Sequence, residues 1–158
     1  MESFKDIFHT DFLVVNSAHA RVNLIGEHTD YTGGYVLPSL LNFKTTIQIS
    51  KNENKKYQVY SEHFNEQINF TDFIKSKNNK WVDYVKGSLF VFYDENKNIP
   101  NTHLNIYISS TIPIGRGISS SSALCVAILK SLNSFFNTEY TEKHIAILAQ
   151  KVERNYIG

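Results

Sequence analysis

The stretch HLNIYISSTIPIGRGISSSSALCVAILKSLNSFF, residues 103–136, decides the fold class, because its apolar pattern changes at a loop that contains glycine. Every second residue from Leu104 to Ile108 is apolar, which predicts a strand with one buried face. The segment 111–117, TIPIGRG, then breaks this pattern with one proline and two glycines. Apolar residues recur at helical spacing from Leu124 to Phe135. The stretch therefore predicts a strand, a loop and a helix in that order.

Four further segments carry the periodicity of regular secondary structure. Residues 12–25 are apolar and rich in strand-forming residues, and residues 43–50 alternate between inward and outward positions of a half-buried strand. Residues 57–70 predict two short strands around a turn, and residues 81–92 predict an amphipathic helix. A last helix is expected to follow Thr141 as its N-cap. No repeat or low-complexity segment interrupts this order, so we expect a single core.

The composition favours a small-molecule partner. The 158 residues carry a net charge of +1, so no sequence-wide field attracts nucleic acid or an anionic membrane. No apolar run reaches the roughly 18 residues of a membrane-spanning helix. The single Cys125 cannot form an internal disulfide, the first residues lack a signal-peptide pattern, and the six histidines never lie at helical ligand spacing. We therefore expect a cytoplasmic protein without a zinc site.

The loop around Gly115 and Gly117 leads into four consecutive serines, residues 119–122. A helix start leaves about four amide groups unpaired and attracts anions, so glycines and hydroxyls there suit a phosphate group. Serines are also common as plain helix caps, and the pattern alone leaves both interpretations open. No lysine follows the second glycine as a P-loop requires. Ser120 replaces the third glycine of the dinucleotide fingerprint, which disfavours a dehydrogenase domain.

A second polar cluster lies in RVNLIGEHTDYTGGY, residues 21–35, where Arg21 lies near the end of the predicted strand 12–25 and Glu27, His28 and Asp30 follow it. Carboxylates and an imidazole can bind the hydroxyl groups of a sugar, and an arginine can neutralise charge on a phosphate. The alternative is structural: Asp30 initiates the turn, Glu27 and His28 lie on a solvated loop, and Arg21 pairs with a neighbouring acid. Spacing alone leaves both interpretations open.

Both motifs resemble known family signatures. RVNLIGEHTDYTGGYVLP, residues 21–38, is similar to the galactokinase signature, and the segment 113–123 is similar to the phosphate-binding serine motif of the GHMP small-molecule kinases. The segments WVDYVKG, residues 81–87, and AQKVERNYIG, residues 149–158, extend the resemblance over the whole chain. It implies an α+β domain over residues 1–158, a mixed β-sheet with the long helices 119–137 and 141–156 on one face. It also implies that a second domain and a segment with a catalytic aspartate would follow Gly158.

The resemblance further implies ATP-dependent phosphorylation of galactose to galactose 1-phosphate with Mg²⁺, in a monomer. By position, Arg21 would stabilise charge near the reacting oxygen, and Glu27, His28 and Asp30 would bind the sugar. The implied nucleotide-binding residues are Gly115, Gly117, Ser119, Ser120, Ser121, Trp81 and Tyr84, with Ser121 also on the magnesium side. An N-acetylgalactosamine kinase and a non-catalytic galactose and ATP sensor remain alternatives.

Three departures from the family pattern bear on these expectations. His19 and Ala20 stand where the family usually has Pro-Gly before Arg21, and Arg116 between the loop glycines is expected to point into solvent. Glu153 is interpreted as a helix-surface residue. Without the implied aspartate, we expect negligible kinase activity from residues 1–158 alone, and exposed apolar surface that weakens stability.

Overall fold

A computed structural model describes residues 1–25, 33–35, 37–78, 80–113 and 120–158. A short helix precedes four consecutive strands, one further strand lies between the later helices, and the last helix continues into a π-helical segment. The elements are α1 Phe4–Phe8, β1 Val14–Ile25, β2 Leu37–Lys51, β3 Tyr57–Ser61, β4 Glu66–Phe70, α2 Val82–Glu95, β5 Leu104–Ser110, α3 Ser120–Phe136, α4 Glu142–Lys151 and the π-helix Val152–Ile157.

The five strands form one mixed sheet in the order β1-β2-β5-β3-β4. β5 lies antiparallel to β2, with Ile108 opposite Ile47, and parallel to β3, with Ile106 opposite Val59. The pairs β1–β2 and β3–β4 are antiparallel. The predicted α+β class with a mixed sheet is confirmed. The parallel pair aligns the carboxyl ends of β3 and β5 at one end of the sheet.

One face of the sheet carries the hydrophobic core. Ile47, Val59 and Ile106 are fully buried there against apolar side chains of α2, α3 and α4, such as Leu89 and Leu132. Burial of each such side chain stabilises the fold by about 1.5–3 kcal/mol. The two long helices thus pack on one face, as predicted, and α2 packs beside them.

The opposite face carries α1, which the sequence analysis did not predict. Tyr60 and Tyr107 lie opposite each other on β3 and β5 and point away from the main core, where Phe4 of α1 packs against both. Ser3 and Asp6 form a capping box at the start of α1. A five-residue helix is too short to display helical periodicity in the sequence.

Two boundaries differ from the predictions. The alternation of buried and exposed residues in β2 holds at Thr45, Ile47 and Ile49, but Phe43 is 41% exposed, because the pairing with β5 ends at Thr45. The last helix begins as predicted, with Thr141 as its N-cap, because the Thr141 hydroxyl accepts a hydrogen bond from the His144 amide at 3.2 Å. The end of this helix differs from the prediction. It changes at Val152 to π-helical geometry, which rotates the side chains that follow relative to a continuous α-helix.

β1 and β2 continue beyond the end of β5 as a two-stranded arm. Residues 21–25 of β1 pair there with residues 37–40 of β2, after a register shift between His19 and Arg21. Leu24 and Leu40 are 63% and 70% exposed on this arm. Among the described residues, no helix is both long and apolar enough to cross a membrane.

Candidate functional site

A cavity of about 340 Å³ opens at the end of the sheet where β3 and β5 finish and where α2 and α3 begin. Because β3 and β5 are parallel, both deliver their last residues to this end. The cavity wall is largely apolar and aromatic, and its polar groups are mostly hydroxyls. Its lining residues are Thr45, Ser61, His63, Phe64, Trp81, Tyr84, Ile108, Ser110, Ile112, Ser120, Ser121 and Leu124.

One wall of the cavity consists of aromatic side chains. The ring centroids of Phe64 and Trp81 lie 5.9 Å apart, and their planes are inclined by only 12°. His63 packs against Phe64 edge-on, with centroids 4.8 Å apart. The Trp81 indole Nε1 donates a hydrogen bond of 2.9 Å to Oε2 of Glu66 at the start of β4. Flat aromatic walls of this kind suit the stacking of a planar ligand.

Tyr84 lines the cavity, Cys125 is buried near it, and both stay protonated at neutral pH. Burial raises the pKa of Tyr84, and the neighbouring Cys125 and Glu153 raise it further, whereas a hydrogen bond with Ser121 opposes the rise. Burial also raises the pKa of the Cys125 thiol to about 12. A thiol with such a pKa is a poor nucleophile, so Cys125 packs as a small apolar residue.

The first turn of α3 contributes Ser120 and Ser121 to the cavity wall, and a carboxylate that is not among the lining residues meets two serine hydroxyls of this turn. Oε1 of Glu153 accepts hydrogen bonds from Ser121 Oγ at 3.2 Å and from Ser122 Oγ at 2.9 Å. Glu153 lies on a helix and is half-buried, and its interpretation as a helix-surface or turn residue did not include this contact. Glu153 is the second residue of the π-helical segment Val152–Ile157. Sequence reasoning missed the contact because about 30 residues separate the carboxylate from the serines, and no local pattern links them.

Close packing between α2 and the π-helix holds Glu153 in this place. A Cβ atom added to Gly87 of α2 would lie 2.6 Å from Tyr156 Cδ1 and 2.9 Å from Val152 Cγ1. Val152 is fully buried and directly precedes Glu153. Only glycine at position 87 therefore allows the two helices to approach this closely.

The structure brings together four of the residues that the sequence analysis singled out. Trp81, Tyr84, Ser120 and Ser121 line the same cavity, although α2 and α3 lie far apart in sequence. Arg21 is exposed on the β1–β2 arm and is not among the residues that line the cavity. The other candidates lie outside the described residues, namely Glu27, His28, Asp30, Gly115, Gly117, Ser119 and the neighbouring Arg116.

The donor set near α3 suits a hard cation. Carboxylate and hydroxyl oxygens are the ligands that Mg²⁺ prefers, and Mg²⁺ usually takes only one or two protein carboxylates beside phosphate oxygens and water. Within the part of the chain that the structure describes, no three His, Cys, Asp or Glu side chains cluster to hold a metal by themselves. Glu153 and Ser121 therefore fit a magnesium ion that a bound phosphate shares.

Comparison with known proteins extends these observations. The profile of the "Galactokinase galactose-binding signature" matches residues 2–51, and that of the "GHMP kinases N terminal domain" matches residues 83–158. The galactokinase of Pyrococcus furiosus is 44% identical over 138 residues, which cover 87% of this chain and 38% of the relative. That of Lacticaseibacillus casei is 36% identical over 159 residues, 98% of this chain and 39% of the relative. The chain thus spans about two fifths of the length of the curated relatives it matches.

Comparison with solved structures agrees with the sequence comparisons. The Lactococcus lactis galactokinase complexed with galactose superposes with a TM-score of 0.86 at 34% identity, covering 98% of this chain and 41% of that one. The Methanococcus jannaschii mevalonate kinase, at 24% identity, shares the fold with a TM-score of 0.80 over 89% of this chain and 46% of that one. The two profiles match different parts of the chain, and the galactokinase relatives cover most of it. The chain therefore belongs to the GHMP kinase family and carries the galactose-binding signature of its galactokinases.

Proposed function

We propose that this chain supplies the nucleotide and sugar sites of an ATP-dependent kinase that converts galactose to galactose 1-phosphate. One observation carries the proposal: Trp81, which directly precedes α2, and Tyr84 of α2 line one cavity with Ser120 and Ser121 of α3, in a chain with a galactose-binding signature. An aromatic wall facing a serine-rich helix start combines the two surfaces that a nucleotide needs, one for the base and one for phosphates.

The nucleotide is proposed to lie across this cavity. Its base stacks against the ring of Trp81, and its phosphates lie near the start of α3. The first turn of a helix offers amide groups without intrahelical partners and a partial positive charge of about one half. Gly115, Gly117 and Ser119 complete the proposed phosphate loop with Ser120, because glycine lets the main chain approach the phosphates closely.

A magnesium ion is proposed to share the phosphates with Ser121 and Glu153. When bound, such an ion neutralises charge that develops on the transferred phosphoryl group. The carboxylate of Glu153 provides the negative charge, and its 3.2 Å hydrogen bond to Ser121 shows that the two side chains reach the same point. Glu153 thus joins the candidate site residues as a metal ligand.

The sugar is proposed to bind beside the β1–β2 arm, between Arg21 and the residues that follow β1 in the sequence. The arm carries Arg21 at its base, and its sequence continues into Glu27, His28 and Asp30. Carboxylates accept hydrogen bonds from neighbouring sugar hydroxyls, and Arg21 would stabilise negative charge close to the reacting oxygen. The Lactococcus lactis galactokinase, which contains galactose in its structure, supports a hexose as the ligand.

Isothermal titration calorimetry with galactose and with Mg·ATP tests the proposal, and we expect both ligands to bind. The substitution Asp30→Ala should weaken galactose binding and spare Mg·ATP, and Ser121→Ala should do the reverse. Loss of one hydrogen bond to a charged group corresponds to about tenfold in affinity. Failure of the unaltered, folded chain to bind either ligand would contradict the proposal.

A competition step separates the remaining alternatives. N-acetylgalactosamine that displaces galactose with equal or higher affinity would favour the N-acetylgalactosamine kinase. In a full-length version of the protein, a coupled assay for ADP release separates a kinase from a sensor, since a sensor binds both ligands without galactose-dependent turnover. ATP hydrolysis without galactose counts for neither alternative.

A further inference from the structure

The side chain of Trp81 is held by two residues of the β3–β4 hairpin. Phe64 in the turn 62–65 lies nearly parallel to the indole ring, with 5.9 Å between centroids. Glu66, the first residue of β4, accepts the 2.9 Å hydrogen bond from the indole Nε1. Phe64 and Trp81 line the cavity, whereas Glu66 is not among its lining residues. Glu66 can therefore influence a ligand in the cavity through Trp81.

The indole of Trp81 is partly buried against the core, but no capping hydrogen bond to the neighbouring helix fixes the direction of the ring. Trp81 precedes the first turn of α2, and its side chain makes no capping hydrogen bond to that helix. Stacked aromatic rings can slide over each other at little energetic cost, because dispersion depends weakly on lateral offset. A hydrogen bond to a carboxylate restricts both distance and angle. Phe64 thus keeps the indole in a plane, and Glu66 selects its position within that plane.

We propose that Glu66 is a positioning residue that locks Trp81 in the orientation in which it receives the base of the nucleotide. The inference rests on the proposed function, since it assumes that a nucleotide enters this cavity. A fixed indole offers its face without first losing rotational freedom when the ligand binds, and such preorganisation increases affinity. Glu66 itself makes no contact with the ligand in this proposal.

Three variants separate the role of the carboxylate from general effects on the hairpin. Glu66→Met keeps the length of the side chain but removes the acceptor, and Glu66→Gln keeps a neutral acceptor at the same place. Glu53→Gln is the matched control, because Glu53 is an exposed carboxylate that pairs with Lys51 at 3.5 Å in the turn after β2. Far-UV circular dichroism of each variant establishes that the sheet remains folded.

Two measurements on these variants test the proposal. Trp81 is the only tryptophan of the chain, so fluorescence excited at the red edge of its absorption reports this side chain alone. Without nucleotide, Glu66→Met should increase the acrylamide quenching constant of Trp81, and Glu66→Gln should increase it less. In calorimetry, Glu66→Met should raise the Kd of Mg·ATP about fivefold, because binding must then immobilise the indole, and Glu66→Gln should raise it about twofold. Glu53→Gln should change neither quantity, and the Kd of galactose should stay constant throughout.

The outcomes distinguish this inference from the proposed function. Unchanged quenching in folded Glu66→Met would overturn the inference even if Mg·ATP binds normally. Increased quenching with an unchanged Kd of Mg·ATP would also overturn it, because a mobile indole would then serve the ligand equally well. If the unaltered chain binds no Mg·ATP, the proposed function fails and the nucleotide role of Glu66 fails with it. If Glu66→Met does not fold, the graded response of Glu66→Gln decides.

Discussion

Replacement of Gly87 by alanine tests whether helix packing positions Glu153. The new Cβ would lie 2.6 Å and 3.0 Å from Cδ1 and Cγ of Tyr156, and 2.9 Å from Cγ1 of the buried Val152. Ordinary carbon–carbon contacts lie at about 3.5–4.0 Å, so the helices must separate by several tenths of an ångström. Alanine also favours the helical state over glycine by about 1 kcal/mol, whereas overpacking costs about 1–3 kcal/mol.

The net effect on folding is therefore a loss of up to about 2 kcal/mol, the difference between overpacking and helix propensity. For a chain of this size, each kcal/mol lowers the Tm by about 2–4 °C, which differential scanning calorimetry resolves. The larger consequence concerns binding. Because Val152 directly precedes Glu153, displacement of the π-helix should draw the carboxylate away from Ser121 and weaken Mg·ATP binding about tenfold.

The double variant Gly87→Ala/Tyr156→Ala provides the control for this prediction. Removal of the Tyr156 ring relieves the shortest contact, so the two substitutions should be less destabilising together than the sum of their separate effects. Glu153→Gln provides the reference for direct loss of the carboxylate. A Gly87→Ala chain that is more stable by the full helix-propensity gain, with unaltered Mg·ATP affinity, would refute the reasoning.

Three further predictions concern the described part of the fold. Thr141→Ala should destabilise the chain by about 1 kcal/mol in urea unfolding, because the His144 amide loses its capping acceptor; no change in the denaturation midpoint would contradict the cap. Cys125 should resist a disulfide reagent at pH 8 in the native chain and react only after unfolding, because burial raises its pKa to about 12; rapid native reaction would contradict this placement. Burial raises the pKa of Tyr107 and Tyr156 to about 12, above the value of 10 for the unfolded chain, so stability should be retained below pH 10 and fall between pH 10 and 12. Thermal melts between pH 10 and 12 should show a smaller decrease in Tm for Tyr107→Phe than for the unaltered chain. An equal decrease would contradict the assignment.

Several predictions from local pattern are confirmed in the structure. The strand from Leu104, the two short strands within residues 57–70, α2 and the long helices lie where their periodicity placed them, within a few residues. Trp81 and Tyr84 came from motif resemblance, Ser120 and Ser121 came first from the pattern of a helix start, and all four line one cavity. The roles assigned to Glu27, His28, Asp30, Gly115, Gly117 and Ser119 stay predictions, because these residues lie outside the described part of the chain.

The contact between Glu153 and the serines shows why the rest could not be predicted. Helical periodicity indicates which face of a segment is buried, but a switch from α- to π-helical geometry at Val152 changes the direction of every later side chain. Likewise, α1 is recognised by its contacts with Tyr60 and Tyr107, which come from two strands far along the chain. The contact of Glu153 leaves no local pattern, and α1 leaves only the capping box of Ser3 and Asp6, which does not indicate what the helix packs against.

The amino-acid sequence alone determined the type and approximate extent of most helices and strands, because side-chain periodicity follows from backbone geometry over a few residues. It also determined the family, through two motifs whose spacing needs no knowledge of the fold. Only the tertiary structure decided that β5 lies between β2 and β3, that Phe64 and Glu66 hold Trp81, and that Glu153 reaches Ser121. These contacts depend on how buried surfaces pack across long separations in sequence, and that packing is a property of the whole domain.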